Sequence, residues 1–538
     1  MKTRLFLLPI ALLLLAPTLA QDALRPGTAY SRTSKSFSGD LQLVANSTTD
    51  LNSMPVLFML EGNGYKAVRL GADLEPAEEL DLHQQTFDGV KWDAASSIAV
   101  DGTLHILFVS NGKKTADHGI GRLDTDGALA IRDFHRVATF EQLNKLDDRT
   151  TCRKTLPDLI LFDNGANYDQ GERITASPDG QHYLVNHYTA QGKGQKKFWF
   201  ACLDRSFQKE WEGSVELPFE DANSDIHQIV LDNAGRILIV TYVFCGDPAR
   251  TGDKLCHETH LTVLKDQGTK LKDLLLDKDF VSTARVMVKV DGRTLVALRY
   301  GALTGIAGTV LSIDTAMAKL KATPVVDQRV PAIRRAKLST FGLPDDGSGK
   351  KPTGSRAAKV PDEVIELLPA WGGTLLIEGF RDQDMQVPFG DAMAIRTLHG
   401  AIRATWLDNT DSVRWQRTVD RAFMTTAGEA YGSAAFQLLP EGLLLAFNTT
   451  PGGIPAINTS YAEVTKSKEK PPVEKSTLKL ALIPADGGEP KEKSIGSPEG
   501  DLTLCPMTMT RSRDGSKLWI KAYDRGSQHR FYEVAPMW

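Results

Sequence analysis

A short unit recurs along almost the whole chain, and it constrains the fold more than any other property of the sequence. Each copy has a Gly-containing turn, then a strand of β-branched and apolar residues. A loop follows, then a second strand that ends in Leu/Ile-Asp before another turn. Asp101-Gly102 with Leu104 to Val109 leads to Ile120-Gly121-Arg122-Leu123-Asp124, and Asp179-Gly180 with Tyr183-Leu184-Val185 leads to Trp199 to Asp204. Asn233-Ala234-Gly235 with Ile237 to Val240 leads to His260 to Lys265, and Asp291-Gly292 with Thr294 to Ala297 leads to Val310 to Asp314. Later copies start at Gly372-Gly373, Glu441-Gly442 and Asp514-Gly515. A weaker one lies near the start, at Val56 to Leu60 and Lys66 to Leu70. Asp-Gly and Asn-Ala-Gly supply the positive φ of tight hairpins. No long segment carries a helical period.

The spacing between Gly turns, roughly 55–80 residues, suits a four-stranded sheet and a variable loop; such sheets bury their faces by stacking radially. The fold class is therefore all-β, and the architecture expected is a single β-propeller of about seven to eight four-stranded blades. A row of sandwiches would need recurring linkers, and none recurs. The C-terminal copy runs to the chain end, so its strands are expected to pair with N-terminal ones and close the ring. At ~150 residues per domain, the length of 538 residues suggests three or four domains. Divided among the copies, it gives roughly 65–75 residues per unit, too few for independent domains. Two segments depart from the repeat: a polar insertion at 334–362 and a charged loop at 466–475, Lys-Ser-Lys-Glu-Lys-Pro-Pro-Val-Glu-Lys.

Residues 1–20 have the form of a secretory signal peptide: Lys2 and Arg4, an apolar core from Leu5 to Ala16, and small residues at Thr18 and Ala20. The propeller then occupies 21–538, in a periplasmic or secreted setting. No later run is apolar enough to span a bilayer, so no transmembrane segment is expected after signal removal. Net charge is −4, from 63 Lys+Arg against 67 Asp+Glu, which leaves no electrostatic footprint for nucleic acid.

Export permits disulfides. Cys245 and Cys256 flank a polar, turn-rich loop that a bridge would staple, although two free thiols fit the same sequence. Cys152 and Cys202 are a second, weaker pairing, and Cys505 is left over. His257 and His260 follow Cys256, but the spacing matches no zinc pattern.

Two copies share a longer signature, Leu203-Asp204 to Trp211 and Leu407-Asp408 to Trp415, in which an Asp ends one strand and a Trp opens the next. Trp211 and Trp415 are expected to wedge between neighbouring blades. In these residues the chain resembles secreted bacterial propeller proteins of an uncharacterised, Bacteroidetes-like type. The resemblance implies fold and export, and no activity. The chain is also distantly similar to quinoprotein-type propellers, but lacks their regular Thr-Gly before the Trp.

The sequence holds no Gly-x-Ser-x-Gly, Walker or His-Glu-x-x-His motif. Asp221, Asn223, Asp225 and Asp232 have the spacing of a calcium loop without its turn Gly or final Glu; a loop entering a strand at Ile226 is the ordinary reading. Asp124-Thr125-Asp126-Gly127 reads as a turn. His182, His187 and His227 lie in or beside strands, where a structural role is the ordinary one. Arg381-Asp382-Gln383-Asp384 and Asp391 fall after a strand and would put carboxylates on a loop. Asn46, Asn448 and Asn458 begin glycosylation sequons. The resulting expectation is an exported, non-catalytic propeller that binds a protein or glycan partner, with no cofactor and no metal. The alternative is a glycan hydrolase or lyase using the loop carboxylates.

Overall fold

The structure, a computed structural model, describes residues 24–26, 30–31, 42–50, 54–61, 64–112, 115–141, 173–189, 193–244, 257–265, 267–278, 281–300, 308–325, 363–389, 392–421, 423–425, 434–449, 476–498, 502–511, 517–523 and 528–534. Its strands form eight antiparallel sheets in a ring, an eight-bladed β-propeller. Among the described residues the one helical element is a 3₁₀ turn, Asp221–Asn223.

Each repeat copy becomes one blade. The first strands of blades 1 to 8 are Gln42–Thr49, Val90–Val100, Arg173–Ala176, Ser224–Leu231, Val281–Val288, Glu363–Ala370, Ala434–Leu438 and Thr503–Arg511. First strands of neighbouring blades pack on one another and so surround the axis. Three further strands run outward in sequence order in blades 1 to 7. Blade 8 has only three strands from the C-terminal part, and Leu24–Pro26 completes it, pairing Leu24 with Val534 and Pro26 with Tyr532. Tyr30–Ser31 pairs with the same C-terminal strand.

The apolar core is divided among the seams. Eight clusters of buried side chains each join two adjacent blades, from Val56 and Phe58 with Trp92 and Leu104 between blades 1 and 2, to Leu57 and Val68 with Trp519 and Phe531 between blades 8 and 1. No blade can bury its faces alone, which is why a small sheet is stable only as part of the ring.

The Asp that ends so many strands has a local cause. Asp204 Oδ1 accepts the backbone N–H of Ser206 and of Gln208, both at 2.8 Å. Asp232 does the same for Ala234 at 2.9 Å and Arg236 at 2.7 Å, and Asp408 for Thr410 at 2.8 Å and Ser412 at 3.1 Å. These bonds build a three-residue hairpin loop whose last residue lies in the left-handed region, a turn with a bulge. Glycine takes that position in the loops after two first strands: Gly235 at φ +72° and Gly292 at +80°.

In the loops between third and fourth strands, larger residues take it: Leu74 at φ +58°, Phe207 at +58°, Met317 at +67° and Asp411 at +59°. Each of these presses on the preceding blade. Leu74 joins the seam of blades 8 and 1, Phe207 that of blades 2 and 3, and Met317 that of blades 4 and 5. Asp411 of blade 6 pairs with Lys289 at 2.8 Å and Arg293 at 2.7 Å in blade 5. Left-handed backbone costs a residue with a Cβ about 1–2 kcal/mol. Burial or ion pairing across the seam offsets it.

One expectation changes. The strand of blade 6 that begins at Gly373 does not stop near Gly379 but runs to Phe389, paired with Ala392–Leu407. Arg381-Asp382-Gln383-Asp384 is therefore strand, not loop, because the opposite strand supplies a partner at Leu398, Thr397 and Arg396. Cys202 and Cys505 are both buried. Cys152, Cys245, Cys256, residues 1–20, the insertion 334–362 and the loop 466–475 lie outside the described residues. Among the described residues no helix is long and apolar enough to cross a membrane.

Candidate functional site at the loop face of the ring

Antiparallel order divides the connections between two faces. Links from first to second strands and from third to fourth strands leave one face, the turn face, and they are short: Val100 to Thr103, Leu231 to Ile237, Asp204 to Lys209. Links from second to third strands and from blade to blade leave the other, the loop face. Segments 142–172, 245–256, 301–307, 326–362 and 450–475 all belong to connections of this second kind. Long connections on a rigid scaffold are where propellers and similar folds carry recognition.

Beneath the loop face, three consecutive seams contain buried polar groups. Lys196 Nζ meets Asp221 at 2.6 Å and donates to the Thr189 carbonyl at 3.0 Å, with both charged side chains 1% exposed. Asp221 thus anchors the turn that leads from blade 3 into blade 4. In the next seam, His227 Nε2 and Arg285 Nη1 converge on the Ala284 carbonyl at 2.9 and 3.1 Å. The His227 ring lies 4.7 Å from Tyr242, which lies 4.6 Å from His257; His257 Nε2 reaches the Val281 carbonyl at 3.0 Å. Between blades 5 and 6, one carboxylate serves two guanidiniums: Glu378 accepts from Arg299 at 2.8 Å and from Arg403 at 2.8 and 2.5 Å. Buried charge persists only when paired. These networks tie successive blades together at the rim from which the long connections leave.

The residues singled out in the sequence are dispersed. Asp221, Asn223 and Asp225 lie at the loop face and Asp232 at the turn face, with the strand Ser224–Leu231 between them. At ~3.3 Å per residue that strand keeps them about 25 Å apart. Asp232 pairs with Arg236. Asp124 accepts the Asp126 N–H at 3.2 Å, and that bond, against the cost of burial and with help from Arg122 and Arg132, holds its carboxyl below the usual range. His187 lies 5.7 Å from Trp199. His182 Nδ1 is 2.9 Å from Glu210. His260 pairs with Asp273 at 2.8 Å. Asp382 and Asp384 hold register positions opposite Leu398 and Arg396 on the hairpin that leaves blade 6 at the loop face, and Asp391 is outside the described residues.

Trp211 packs in the seam of blades 3 and 4, 5.5 Å from Phe200, and Trp415 in the seam of blades 6 and 7, 6.4 Å from Trp406. Asn448, the first residue of a sequon, is buried: its Nδ2 donates to the Leu504 carbonyl at 2.6 Å. Burial, aided by Glu210, pushes the thiol of Cys202 up to about 12.

Sequence reasoning did not single out Lys196, Arg299, Glu378 or Arg403. The available signal was a charged residue inside an apolar strand, as in Leu298-Arg299, Ile377-Glu378 and Ile402-Arg403.

No family model matches the chain, and no curated protein matches it. Among solved structures it is similar to prolyl oligopeptidase B from Galerina marginata, with TM-score 0.38, 9% identity, and 94% of this chain and 56% of that chain covered. This chain thus spans little more than half the length of that protein. A protein of unknown function from Bacteroides caccae gives TM-score 0.24 and 12% identity over 56% of this chain and 93% of that one. One from Dyadobacter fermentans gives 0.30 and 11% over 80% and 96%. At scores this low, none of these likenesses bears on activity.

Proposed function

We propose that the protein is exported by way of residues 1–20 and works in the cell envelope or outside it as a non-catalytic binding propeller. Its partner, a protein or a glycan, docks on the loop face. The observation that carries this reading is the division of the connections: short, hydrogen-bonded turns on one face, every long connection on the other, above seams braced by buried polar groups. Near-neutral net charge leaves partner choice to these local connections.

The test uses the purified full chain on a glycan array, a polysaccharide panel and an immobilised-protein pull-down from envelope extract. Replacing 326–362 by a short Gly-Ser linker is expected to abolish capture while leaving the ring folded. Turnover of any polysaccharide would overturn the reading in favour of a glycan hydrolase or lyase. The carboxylates to mutate would then be Asp382, Asp384 and Asp391.

A further inference from the structure

His182, Cys202 and Glu210 belong to three successive strands of blade 3, at the turn-face end. His182 opens His182–Tyr188, Cys202 lies two residues from the end of Gln195–Asp204, and Glu210 is second in Lys209–Glu220. The ladder between the last two strands is irregular there. Cys202 pairs with Trp211 but Leu203 pairs with Lys209, so Glu210 is the extra residue of a bulge. A bulge re-aims a side chain, and here the Glu210 carboxylate meets both neighbours. Its Oε2 is 2.9 Å from His182 Nδ1 and 3.9 Å from Cys202 Sγ. One ligand atom from each of the three residues lies within 4.8 Å of the other two.

An imidazole, a thiol and a carboxylate converging in this way form the donor set of a borderline-soft divalent ion. We propose that His182, Cys202 and Glu210 bind Zn²⁺, with water in the fourth position. Tetrahedral Zn²⁺ with Zn–S of about 2.3 Å and Zn–N and Zn–O of about 2.1 Å sets its donors roughly 3.4–3.6 Å apart. The nitrogen–oxygen pair must therefore open by about 0.5 Å, the sulfur–oxygen pair close by about 0.3 Å, and the nitrogen–sulfur pair, which lies within 4.8 Å, close to about 3.6 Å, changes made by rotating the three side chains. The Cys202 thiol gives its proton to water as the sulfur–zinc bond forms. Thiolate and carboxylate then neutralise the ion. His182 and Glu210 are 29% and 37% exposed, so the ion enters from solvent, while the sulfur is the buried floor of the site. The site lies on the face opposite the long connections, so its occupancy is separable from partner binding there.

The experiment takes the reduced, chelator-treated full chain and titrates it with Co²⁺ as a spectroscopic stand-in for Zn²⁺. The expected result is one equivalent bound, with a near-ultraviolet thiolate-to-cobalt band and tetrahedral visible bands, all bleached by Zn²⁺. Cys202→Ala is expected to remove the thiolate band. His182→Gln and Glu210→Gln change partly exposed side chains, leave the circular dichroism unchanged, and are expected to weaken Co²⁺ at least tenfold. Zn²⁺ should also raise the melting temperature of the natural chain and not that of His182→Gln. Absence of the thiolate band in the natural chain, its survival in Cys202→Ala, or an equal Zn²⁺ stabilisation of both proteins would overturn the assignment.

Discussion

Replacing Phe207 by Gly should leave a more stable protein than replacing it by Ala, the reverse of the usual order in a β-protein. Phe207 lies at φ +58° and is 5% exposed, with its ring 4.5 Å from Tyr183 in its own blade and 4.4 Å from His105 across the seam of blades 2 and 3. Truncating such an aromatic residue costs about 3–5 kcal/mol in lost burial and cavity. Alanine keeps a Cβ in left-handed backbone at about 1–2 kcal/mol, while Gly removes that strain but carries about 0.5–1 kcal/mol of extra unfolded-state freedom. The difference leaves Phe207→Gly ahead of Phe207→Ala by about 0.5–1 kcal/mol. Val185 is a control in the same blade, buried in an ordinary strand. There Gly should be the worse replacement by a similar amount. Urea midpoints followed by tryptophan fluorescence give the ordering within each pair under one set of conditions. If Phe207→Ala is the more stable of its pair, strain at the third-to-fourth-strand loops does not exist, and the account of seam packing given for Leu74 and Met317 goes with it.

Removing Glu378 by Glu378→Ala should cost about 3–5 kcal/mol, because two buried guanidiniums lose their shared carboxylate; a melting temperature unchanged within error would refute this role. Burial, then Arg122, lowers His105 to about 4. Its unfolded form therefore binds a proton first as pH falls below about 6.5, and stability should drop between about 6.5 and 4. His260 works in the opposite sense: burial pulls its pKa down, but hydrogen bonds and charge from Asp273 and Glu258 raise it overall. The stability it contributes is present below about 6.5 and lost at higher pH, and melting curves of His105→Gln and His260→Gln should flatten opposite limbs of the pH profile. The second and third strands of blade 4 pair Phe244 with His257, and in the sequence Cys245 follows the one and Cys256 precedes the other. Non-reducing peptide mapping of the purified chain is expected to find them bridged, and two free thiols would refute it.

Fold was legible because its devices are local. The Gly turns and strand-ending Asp residues are short-range chemistry, and every copy marked by them became a blade, including the weak one at Val56 to Leu70. The blade count, open between seven and eight, was settled by the seams, each a long-range contact. Chemistry was far less legible. The convergence of His182, Cys202 and Glu210 depends on a bulge after Cys202 that no residue preference announces. The Glu378 network joins two blades through strands 79 residues apart at Arg299, a separation that spacing rules do not address. The strand through Asp382 and Asp384 was cut short because its polar residues look like loop, whereas an opposing strand satisfies the backbone there.

The eighth blade is shared between the two ends of the chain, and this makes the ring a device with a latch. Joining Leu24 to Val534 closes a loop of roughly 500 residues, yet the entropy of closure grows only with the logarithm of length. It exceeds that for a loop of ~60 residues by only about 2 kcal/mol. What the latch governs is time more than energy. Until the C-terminal strands exist, the first strands formed have nothing to clasp, and the growing ring presents an open edge at each end. A handful of backbone pairs at Leu24–Pro26 and Tyr30–Ser31 then ends that exposure, once the strands they pair with have been made.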